Sequence, residues 1–480
     1  MSSGMKLIDR AFYFTESDNS PKHVAGLLKF TMPEGRDYRY ILELYEKLLT
    51  FDKAEAPFNQ TVVSYLKIPF WYQEQKIFDC DYHINIHEVE NFDDIIELNS
   101  LVVKLHEECL DKTKPLWQCH LIYCKKSRSF GFYSKIHHVY ADGVTLLSWI
   151  IKSFSAAPSG EIKPFWAIVK KSKKRPFSYE SPLKDLWGLV IYFKDILILF
   201  FNNLIRTISP SRTDNAVPFS GKRTVLTGKV TKGRVFSSVK LPLNEILTAC
   251  KLTRTTVNDF LLTVIDIATH RLLKDYGHDD FDRPLVALMP VSLRRPGDTT
   301  GGNKIAIALI KLAYGRSDPY KRLRQVVNSN FLVKQEAKVY SPAVYTHISL
   351  MYHTFALLID MLNLSEKLRP LGNLLVSNVP GPKVPLFFGD SQLNSICPVS
   401  TLAPGGGLNV TLVSYNGEVE IGLLCCDNKV DSLEPLTVYI KEAFELLVKS
   451  IDDPDISIDD LGEKPRKENL TIVEDSVDIL

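Results

Sequence analysis

Hydrophobic residues recur at helical spacing in two segments of the first quarter of the chain. Residues 41–49 and 95–105 each place apolar side chains three and four positions apart, as in an amphipathic helix. Asp37 and Asp93 precede these segments where N-cap residues are expected. The pattern therefore predicts two helices, one starting near each aspartate.

The next segments alternate between apolar and polar residues in the manner of strands. Alternation runs through 118–124 and again through 130–136, and the polar residues 125–129 separate the two runs. An apolar run with helical character follows at 144–154. We predict two adjacent strands joined by a turn and followed by a helix.

The second half of the chain repeats both patterns. Thr256 is placed to cap a helix that has Asp259 at its third position. Near the end, residues 409–415 and 418–425 flank an Asn-Gly pair at 416–417, the strongest short signal for a β-hairpin. Mixed strands and helices in both halves predict an α/β (α+β) fold.

Length and composition favour a folded protein of two domains. The chain has 480 residues, of which 45% are apolar and 24% charged, as is typical of globular proteins. We predict a first lobe at 1–160, a linker at 161–222 and a second lobe at 223–451, because proline, glycine and basic residues cluster in the linker. The acidic tail at 452–480 is predicted to be disordered.

Charge and cysteine content exclude several classes of protein. With 58 Lys and Arg against 56 Asp and Glu, the net charge of +2 gives no reason to expect a nucleic-acid partner. The eight cysteines form no CxxC pair, and His83 and His87 lie four apart in a strand-like segment, so we expect no metal site. Charges near the N-terminus are unlike a signal peptide, so we expect a cytoplasmic protein with reduced thiols.

The longest apolar stretch of the chain lies in the linker, at 186–205. Lys194 and Asp195 occupy its centre, where charged side chains are costly in a membrane-spanning helix. Five basic residues precede it at 170–175. These features predict a helix that either lies at a membrane surface or packs between the lobes, and the sequence leaves both alternatives open.

Candidate chemistry is concentrated where the second alternating run ends. The motif HHxxxDG begins there with His137 and His138 and ends with Asp142 and Gly143. Adjacent residues of a strand point to opposite faces, so one ring can be buried while the other faces a cavity. An imidazole titrates near neutrality and suits proton removal from an alcohol. Asp142 either orders this loop or serves only as a helix N-cap.

The HHxxxDG motif is similar to the signature of chloramphenicol acetyltransferases, coenzyme A–dependent acyltransferases and peptide-synthetase condensation domains. More narrowly, the chain resembles the bacterial-type wax ester synthase/diacylglycerol acyltransferase family over most of its length, and it lacks the DFGWG signature of plant-type acyltransferases. The segments that carry the resemblance are IDRAFYFTES at 8–17, PFNQ at 57–60, PLW at 115–117, PFSGKR at 218–223, TVNDFLL at 256–262, MPVSLR at 289–294, GGN at 301–303 and SNVPGP at 377–382.

The resemblance implies a role for each residue of the motif. It assigns His138 as the general base and His137 as a supporting residue. It gives Asp142 and Gly143 the task of shaping the loop. In related enzymes the aspartate at the position of Asp142 typically pairs with an arginine, and Arg294 is our candidate for that partner.

Further site residues follow from the other shared segments. Asn258 and Asp259 match a motif that binds substrate or organises the site, although both residues also suit a helix start. Gly302 and Asn303 belong to a glycine-rich segment that would let a substrate approach the backbone closely. We list these four, together with Arg294, as candidates for substrate binding or site organisation.

The resemblance also implies the fold and the reaction. It predicts two chloramphenicol-acetyltransferase-like lobes with mixed sheets and an active site in the cleft or tunnel between them. It implies direct transfer of a long-chain acyl group from the co-substrate acyl-CoA to diacylglycerol, a fatty alcohol or both, with no permanently bound cofactor. Such acceptors imply peripheral association with a membrane or lipid droplet, and the products would be triacylglycerol or wax ester.

Two alternative functions remain open at this point. The first is a condensation-domain-like enzyme that forms amides or esters, which would ordinarily need a carrier-protein partner. The second is a non-catalytic member of the superfamily that binds lipid. The intact motif at 137–143 favours an enzyme over a non-catalytic copy.

Overall fold

The structure of the chain is a computed structural model. It describes residues 3–5, 7–65, 68–168, 194–195, 197–199, 201–202, 216–278, 283–292, 305–314, 318–339 and 342–452. The basic run at 170–175, most of the apolar stretch at 186–205 and the tail beyond 452 lie outside these ranges.

The described part of the chain contains ten α-helices with defined limits. They are α1 Leu7–Thr15, α2 Arg39–Leu49, α3 Cys80–His83, α4 Ile95–Glu107, α5 Gly143–Ile151, α6 Leu243–Thr253, α7 Val257–Asp275, α8 Pro319–Val339, α9 Pro342–Met361 and α10 Glu434–Asp452. A single 3-10 turn at Phe165–Ala167 follows α5.

Strands account for most of the remaining regular structure. They are β1 Ser3–Gly4, β2 His23–Thr31, β3 Gln60–Tyr65, β4 Ile68–Glu74, β5 Ile84–Glu88, β6 Trp117–Tyr123, β7 Ser129–His137, β8 Arg234–Pro242, β9 Val286–Ser292, β10 Ile305–Lys311, β11 Leu374–Val379, β12 Phe387–Phe388, β13 Ser391–Val399, β14 Leu408–Tyr415 and β15 Glu418–Cys426. The strand pair predicted at 118–136 is formed by β6 and β7, and α5 follows it.

The strands form two large sheets and a small one. The first large sheet has the order β12-β13-β2-β7-β6-β5, the second has the order β10-β9-β11-β14-β15-β8, and β1-β4-β3 make the third. Both large sheets mix parallel and antiparallel pairs, since β5 is parallel to β6 and β11 is parallel to β14. This architecture confirms the predicted fold class of two lobes with mixed sheets.

The first large sheet contains strands from both halves of the chain. Strands β12 and β13 lie within the range that the sequence assigned to the second lobe, yet they extend the first sheet. β13 pairs antiparallel with β2, in a register that sets Val399 against Ala25. On its other edge β2 pairs with β7, and His23 lies opposite His137. The lobe limits at 160 and 223 remain predictions, but the two halves share a sheet.

Helix starts show how closely local sequence determines this framework. The N-cap of α4 is Asp94, whose carboxylate accepts the backbone N–H groups of Ile96 and Glu97. The cap is therefore one residue later than predicted. Helix α2 begins after Tyr38, which makes no side-chain cap, so the prediction of Asp37 as N-cap was wrong by one position. At α4 two aspartates stand side by side, whereas at α2 the residue after Asp37 is a tyrosine that does not cap.

Two signals in the second half are realised as predicted. Thr256 and Asp259 form a reciprocal capping box at the start of α7, each side chain accepting the backbone N–H of the other residue. The Asn-Gly pair turns between β14 and β15, with φ of 46° at Asn416 and 87° at Gly417. Positive φ at both positions is what a tight type I′ hairpin requires.

Candidate active site

The two histidines of the motif lie where β7 ends. His137 is the last residue of the strand and is 0% exposed, whereas His138 is partly exposed and lines a cavity between the two large sheets. The alternation of side chains along a strand accounts for this separation. The backbone N–H of His138 donates to the carbonyl of Lys22 at 2.8 Å, which extends the pairing of β7 with β2 by one residue.

His138 has the tautomer that a base requires. Its Nδ1 lies 3.2 Å from the carbonyl oxygen of Ala141, and because a carbonyl only accepts hydrogen bonds, Nδ1 carries the proton. Nε2 therefore holds the lone pair. The ring of Phe12 stacks on the imidazole with a centroid separation of 4.6 Å and an interplanar angle of 10°. Phe12 thus fixes the plane of the ring.

The environment keeps His138 neutral. Burial, followed by the neighbouring His137, lowers the pKa of His138 to about 4, although the Asp142 carboxylate and the Ala141 carbonyl act in the opposite direction. At neutral pH the imidazole is therefore unprotonated. The same two groups favour the imidazolium that would form on proton uptake.

His137 has the opposite tautomer and a charged neighbour. Its Nδ1 accepts the backbone N–H of Val139 at 2.9 Å, so the proton is on Nε2. That nitrogen lies 3.2 Å from Oε1 of Glu16, and both side chains are almost completely buried. Glu16 did not figure among the predicted site residues.

Glu16 is a buried carboxylate with one backbone hydrogen bond and two basic side chains at ion-pair distance. Its Oε1 accepts the backbone N–H of Lys22 at 3.1 Å, and its Oε2 lies 3.2 Å from Nζ of Lys112. Burial alone would raise the pKa of Glu16, but His137 and Lys112 outweigh it and lower the pKa to about 2. Glu16 is consequently ionised throughout the physiological range.

Asp142 and Gly143 begin α5. The Asp142 side chain is the N-cap and accepts the backbone N–H of Thr145 at 2.9 Å, while its backbone has an extended conformation. A Cβ atom added to Gly143 would meet only Val379 Cγ2, at an ordinary distance of 3.8 Å. Asp142 is therefore the N-cap of the helix that follows the His138 loop, and the position of Gly143 has no steric need for glycine.

The cavity that His138 faces has a volume of about 600 Å³. Its walls come from both large sheets and from α1, α5 and α9, and most of them are apolar. Representative lining residues are Ile8, Leu146, Met289, Leu350, Leu357 and Val413. The site is thus a chamber between the lobes that suits a hydrocarbon chain.

The candidates of the second lobe fall into two groups. Asn258 lines the cavity, and its Oδ1 accepts from the side-chain amide of Asn378 in β11 at 2.6 Å. Asp259 points elsewhere: besides the capping box, its Oδ1 accepts from the side-chain amide of Asn330. The structure therefore brings Asn258 to the cavity wall with His138 and Asp142. The side chain of Asp259 instead stabilises the start of α7.

The SNVPGP segment supplies a close backbone contact beside this wall. A Cβ atom at Gly381 would lie 2.1 Å from the carbonyl oxygen of Ser414, a separation that excludes any other residue. Asn378 of the same segment lines the cavity. Arg294, Gly302 and Asn303 lie outside the described residues.

Sequence reasoning missed Glu16, Phe12 and Asn378 as functional candidates. Each belongs to a segment that carried the family resemblance, at 8–17 or 377–382, but nothing in its local pattern indicated a contact with His137, His138 or Asn258. Within the described ranges, no group of three or more His, Cys, Asp or Glu residues is arranged to hold a metal ion.

Comparison with known proteins places this geometry in context. Residues 5–261 match the model of the wax ester synthase/diacylglycerol acyltransferase catalytic domain, and residues 301–448 match the C-terminal domain of the same group. The O-acyltransferase WSD of Acinetobacter baylyi is 28% identical over 446 residues, which cover 92% of this chain and 95% of that protein.

Solved structures extend the likeness to the fold. The wax ester synthase/diacylglycerol acyltransferase from Marinobacter aquaeolei VT8 superposes with a TM-score of 0.73 at 26% identity, covering 94% of this chain and all of that one. The first condensation domain of the CDA synthetase has a TM-score of 0.59 at 12% identity, covering 97% and 99% of the two chains. The second likeness concerns the fold alone.

Proposed function

The chain belongs to the wax ester synthase/diacylglycerol acyltransferase family and is an acyltransferase, and from that premise we propose that it transfers a long-chain fatty acyl group from acyl-CoA to a hydroxyl acceptor. His138 is the general base of this proposal. The observation that carries it is an imidazole whose unprotonated nitrogen is Nε2, at the wall of an apolar chamber between the lobes.

The reaction needs only this base and the two substrates. Nε2 of His138 takes the hydroxyl proton as the acceptor oxygen attacks the thioester carbonyl carbon. The tetrahedral intermediate then releases the coenzyme A thiolate, which receives the proton from the imidazolium. No acyl-enzyme forms, so no nucleophilic Ser or Cys and no permanently bound cofactor takes part. His137, Asp142 and Gly143 support the base, and Asn258 and Asn378 line the same cavity.

The acceptor is diacylglycerol, a fatty alcohol or both. Two observations support a lipid acceptor: the chamber is mostly apolar, and the family is named for wax ester synthesis and for acyl transfer to diacylglycerol. Incubation with labelled palmitoyl-CoA plus either hexadecanol or diacylglycerol, read by thin-layer chromatography, tests this directly. Triacylglycerol or wax ester is expected with the native protein and neither with His138→Ala. Absence of both products from folded native protein would contradict the proposal and favour a lipid-binding role.

Peripheral association with a membrane or lipid droplet is the second part of the proposal. Among the described residues, no helix combines the length and hydropathy needed to cross a bilayer. A short helical piece of the apolar stretch is described, and there Leu199 is buried against Val344 and Ile348 of α9, while Leu197 and Phe201 are more than half exposed. The piece therefore packs on the protein through one side and presents apolar residues on the other.

Helix α9 continues this apolar surface. Its exposed residues Met351, Phe355 and Leu358 recur at intervals of four and three, so they form one stripe along the helix. The adjoining face, with Leu350 and Leu357, lines the cavity. One helix thus separates the chamber from an exposed apolar surface, which suits the passage of a nearly insoluble acceptor from a lipid phase.

Vesicle co-sedimentation tests the lipid-surface proposal. We expect salt-sensitive binding to anionic vesicles that weakens when the five basic residues at 170–175 become Gln. Phe355→Glu combined with Leu358→Glu should also weaken it. Leu252→Glu, at a similarly exposed site on α6, is the matched control and should bind normally. Absence of binding at low salt, or binding that resists all these changes, would contradict the proposal.

A further inference from the structure

We propose that Glu16 is a positioning residue for His138, which it holds in place through the backbone on both sides of the imidazole. The inference rests on the proposed role of His138 as the base. Glu16 directly follows α1, its side chain is 2% exposed, and it does not itself line the cavity. Any effect on the reaction must therefore pass through its neighbours.

The first connection runs through the loop before β2. Oε1 of Glu16 accepts the backbone N–H of Lys22 at 3.1 Å, and the Lys22 carbonyl accepts the backbone N–H of His138 at 2.8 Å. Two hydrogen bonds in series thus join the carboxylate to the main chain of the base. The position of the Lys22 peptide therefore depends on Glu16. The position of the His138 backbone at the cavity wall depends on the Lys22 peptide in turn.

The second connection runs through His137. Its Nε2–H faces the same Oε1 atom at 3.2 Å, and its Nδ1 accepts the backbone N–H of Val139 at 2.9 Å. If the proton moved to Nδ1, that nitrogen would face the N–H of Val139 as a second donor. By favouring the Nε2–H tautomer, Glu16 keeps the turn immediately after His138 closed.

The same stretch of chain also orients the imidazole plane. Phe12, which stacks on His138, lies one helical turn before Glu16. Fixing Glu16 by its contacts therefore also fixes the end of the helix that carries Phe12. The stacking ring and the carboxylate act as one unit around the base.

Geometry rather than charge is the property on which His138 depends. The negative charge of Glu16 is offset by Lys112, whose Nζ lies 3.2 Å from Oε2, whereas Oε1 faces Lys22 N and His137 Nε2. A side chain that keeps an acceptor oxygen at the position of Oε1 should therefore preserve the function. A shorter side chain that keeps the charge should not.

The comparison of Glu16→Gln with Glu16→Asp turns this argument into a test. Glutamine has the same length and one acceptor oxygen, whereas aspartate keeps the charge but cannot reach Lys22 N and His137 Nε2 together. We expect kcat of Glu16→Asp to fall about 10- to 100-fold, with KM for palmitoyl-CoA within about twofold of native, because small misplacements of catalytic groups cost this much. Glu16→Gln should stay within about threefold of native kcat.

A spectroscopic measurement reports the intermediate step. Nitrogen-15 NMR of the His137 ring should show the Nε2–H tautomer in the native protein and in Glu16→Gln, and a mixture of tautomers in Glu16→Asp. Lys112→Met removes the contact with Oε2 and the contacts of the same ammonium group with the carbonyl and ring of Tyr13. It leaves both neighbours of Oε1 in place, so it is the control and should change kcat by less than about twofold. A fall in Lys112→Met as large as that in Glu16→Asp would overturn the assignment to Oε1.

Three further results would overturn the proposal. These are normal kcat in Glu16→Asp, a larger loss in Glu16→Gln than in Glu16→Asp, and one tautomer of His137 in all three proteins. His138→Ala, measured in parallel, separates this inference from the proposed function. Its loss of activity together with normal kcat in Glu16→Asp would overturn only the role of Glu16, whereas normal turnover in His138→Ala would overturn the assignment of the base.

Discussion

His137 and His138 are adjacent in the chain, yet their rings occupy opposite environments with opposite tautomers. His137 is completely buried, with its proton on Nε2 facing Glu16. His138 faces the cavity with its proton on Nδ1, which is held by the Ala141 carbonyl. In each ring the nitrogen that contacts a fixed protein acceptor determines what the other nitrogen can do. The alternation of side chains along β7 determines which ring faces the cavity. The contact of each ring with Ala141 or Glu16 determines which of its nitrogens carries the proton.

Of the changes that test this contrast, replacing His138 should lower turnover most. His138→Ala removes the proposed base, and general bases contribute about 10²–10⁴-fold to turnover. We therefore expect nearly complete loss of transfer from palmitoyl-CoA to hexadecanol or diacylglycerol, measured as initial rates. Circular dichroism would establish that the variant is folded. Near-normal turnover in a folded His138→Ala protein would show that the base is another group.

Replacing His137 should have a smaller effect of a different kind. His137→Ala removes the acceptor for Val139 N–H and leaves Glu16 buried without the imidazole that lies 3.2 Å from its Oε1. Displacement of the turn should lower kcat about tenfold, and a measurable fraction of activity should remain. If His137→Ala were as inactive as His138→Ala, the two rings would share the chemistry and the contrast between them would fail.

Asp142→Ala tests the support of the loop that follows both rings. Loss of the N-cap should lower the free energy of unfolding by about 1 kcal/mol, and stability should suffer as much as catalysis. Thermal melts beside kcat and KM provide the measurement. Thr256→Ala, which removes the cap of α7 in the second lobe, is the matched control. An unchanged melting temperature with turnover reduced by orders of magnitude would instead indicate direct chemistry by Asp142.

Mild acid should have the smallest effect. Burial and the adjacent His137 lower the pKa of His138 to about 4, so the base form persists well below neutrality. Between pH 7 and pH 5, kcat/KM should change less than about twofold, whereas a base with an ordinary histidine pKa near 6.5 would lose about 25-fold. Activity should fall only as the pH passes below about 4. A titration near pH 6.5, in protein shown to be folded, would contradict this account.

The sequence predicted the parts of the site that depend on local pattern. The end of β7, the opposite orientation of the two rings and the capping box of α7 all follow from alternation or from residues within one helical turn. The cap of α4 was misplaced by one position because two adjacent aspartates compete for the same backbone groups. The start of α2 was misplaced by one position because Tyr38, which makes no side-chain cap, precedes the helix. Such rules predict helix caps and strand ends to within one or two residues, because the groups involved are close together in the chain.

Contacts between distant segments were beyond the reach of those rules. Glu16 meets His137 across more than a hundred residues, and Asn258 meets Asn378 across a similar separation. Neither pair has a periodic or spacing signal, since each depends on which strands are neighbours in the sheets. The family resemblance marked the segments that contain these residues, but only the folded chain shows which atoms meet.

The shared sheet has a consequence for the order in which the protein can form during synthesis. One neighbour of β2, strand β7, is synthesised soon after it. Its other neighbour, β13, pairs Gln392 with Thr31 and is therefore synthesised about 360 residues later. At elongation rates of roughly 5–20 residues per second, that edge waits roughly 20–70 s for its partner. During this interval β2 presents unpaired backbone groups, a template for association with other chains. Association of the nascent chain with other chains through this edge should therefore be strongest before β13 leaves the ribosome.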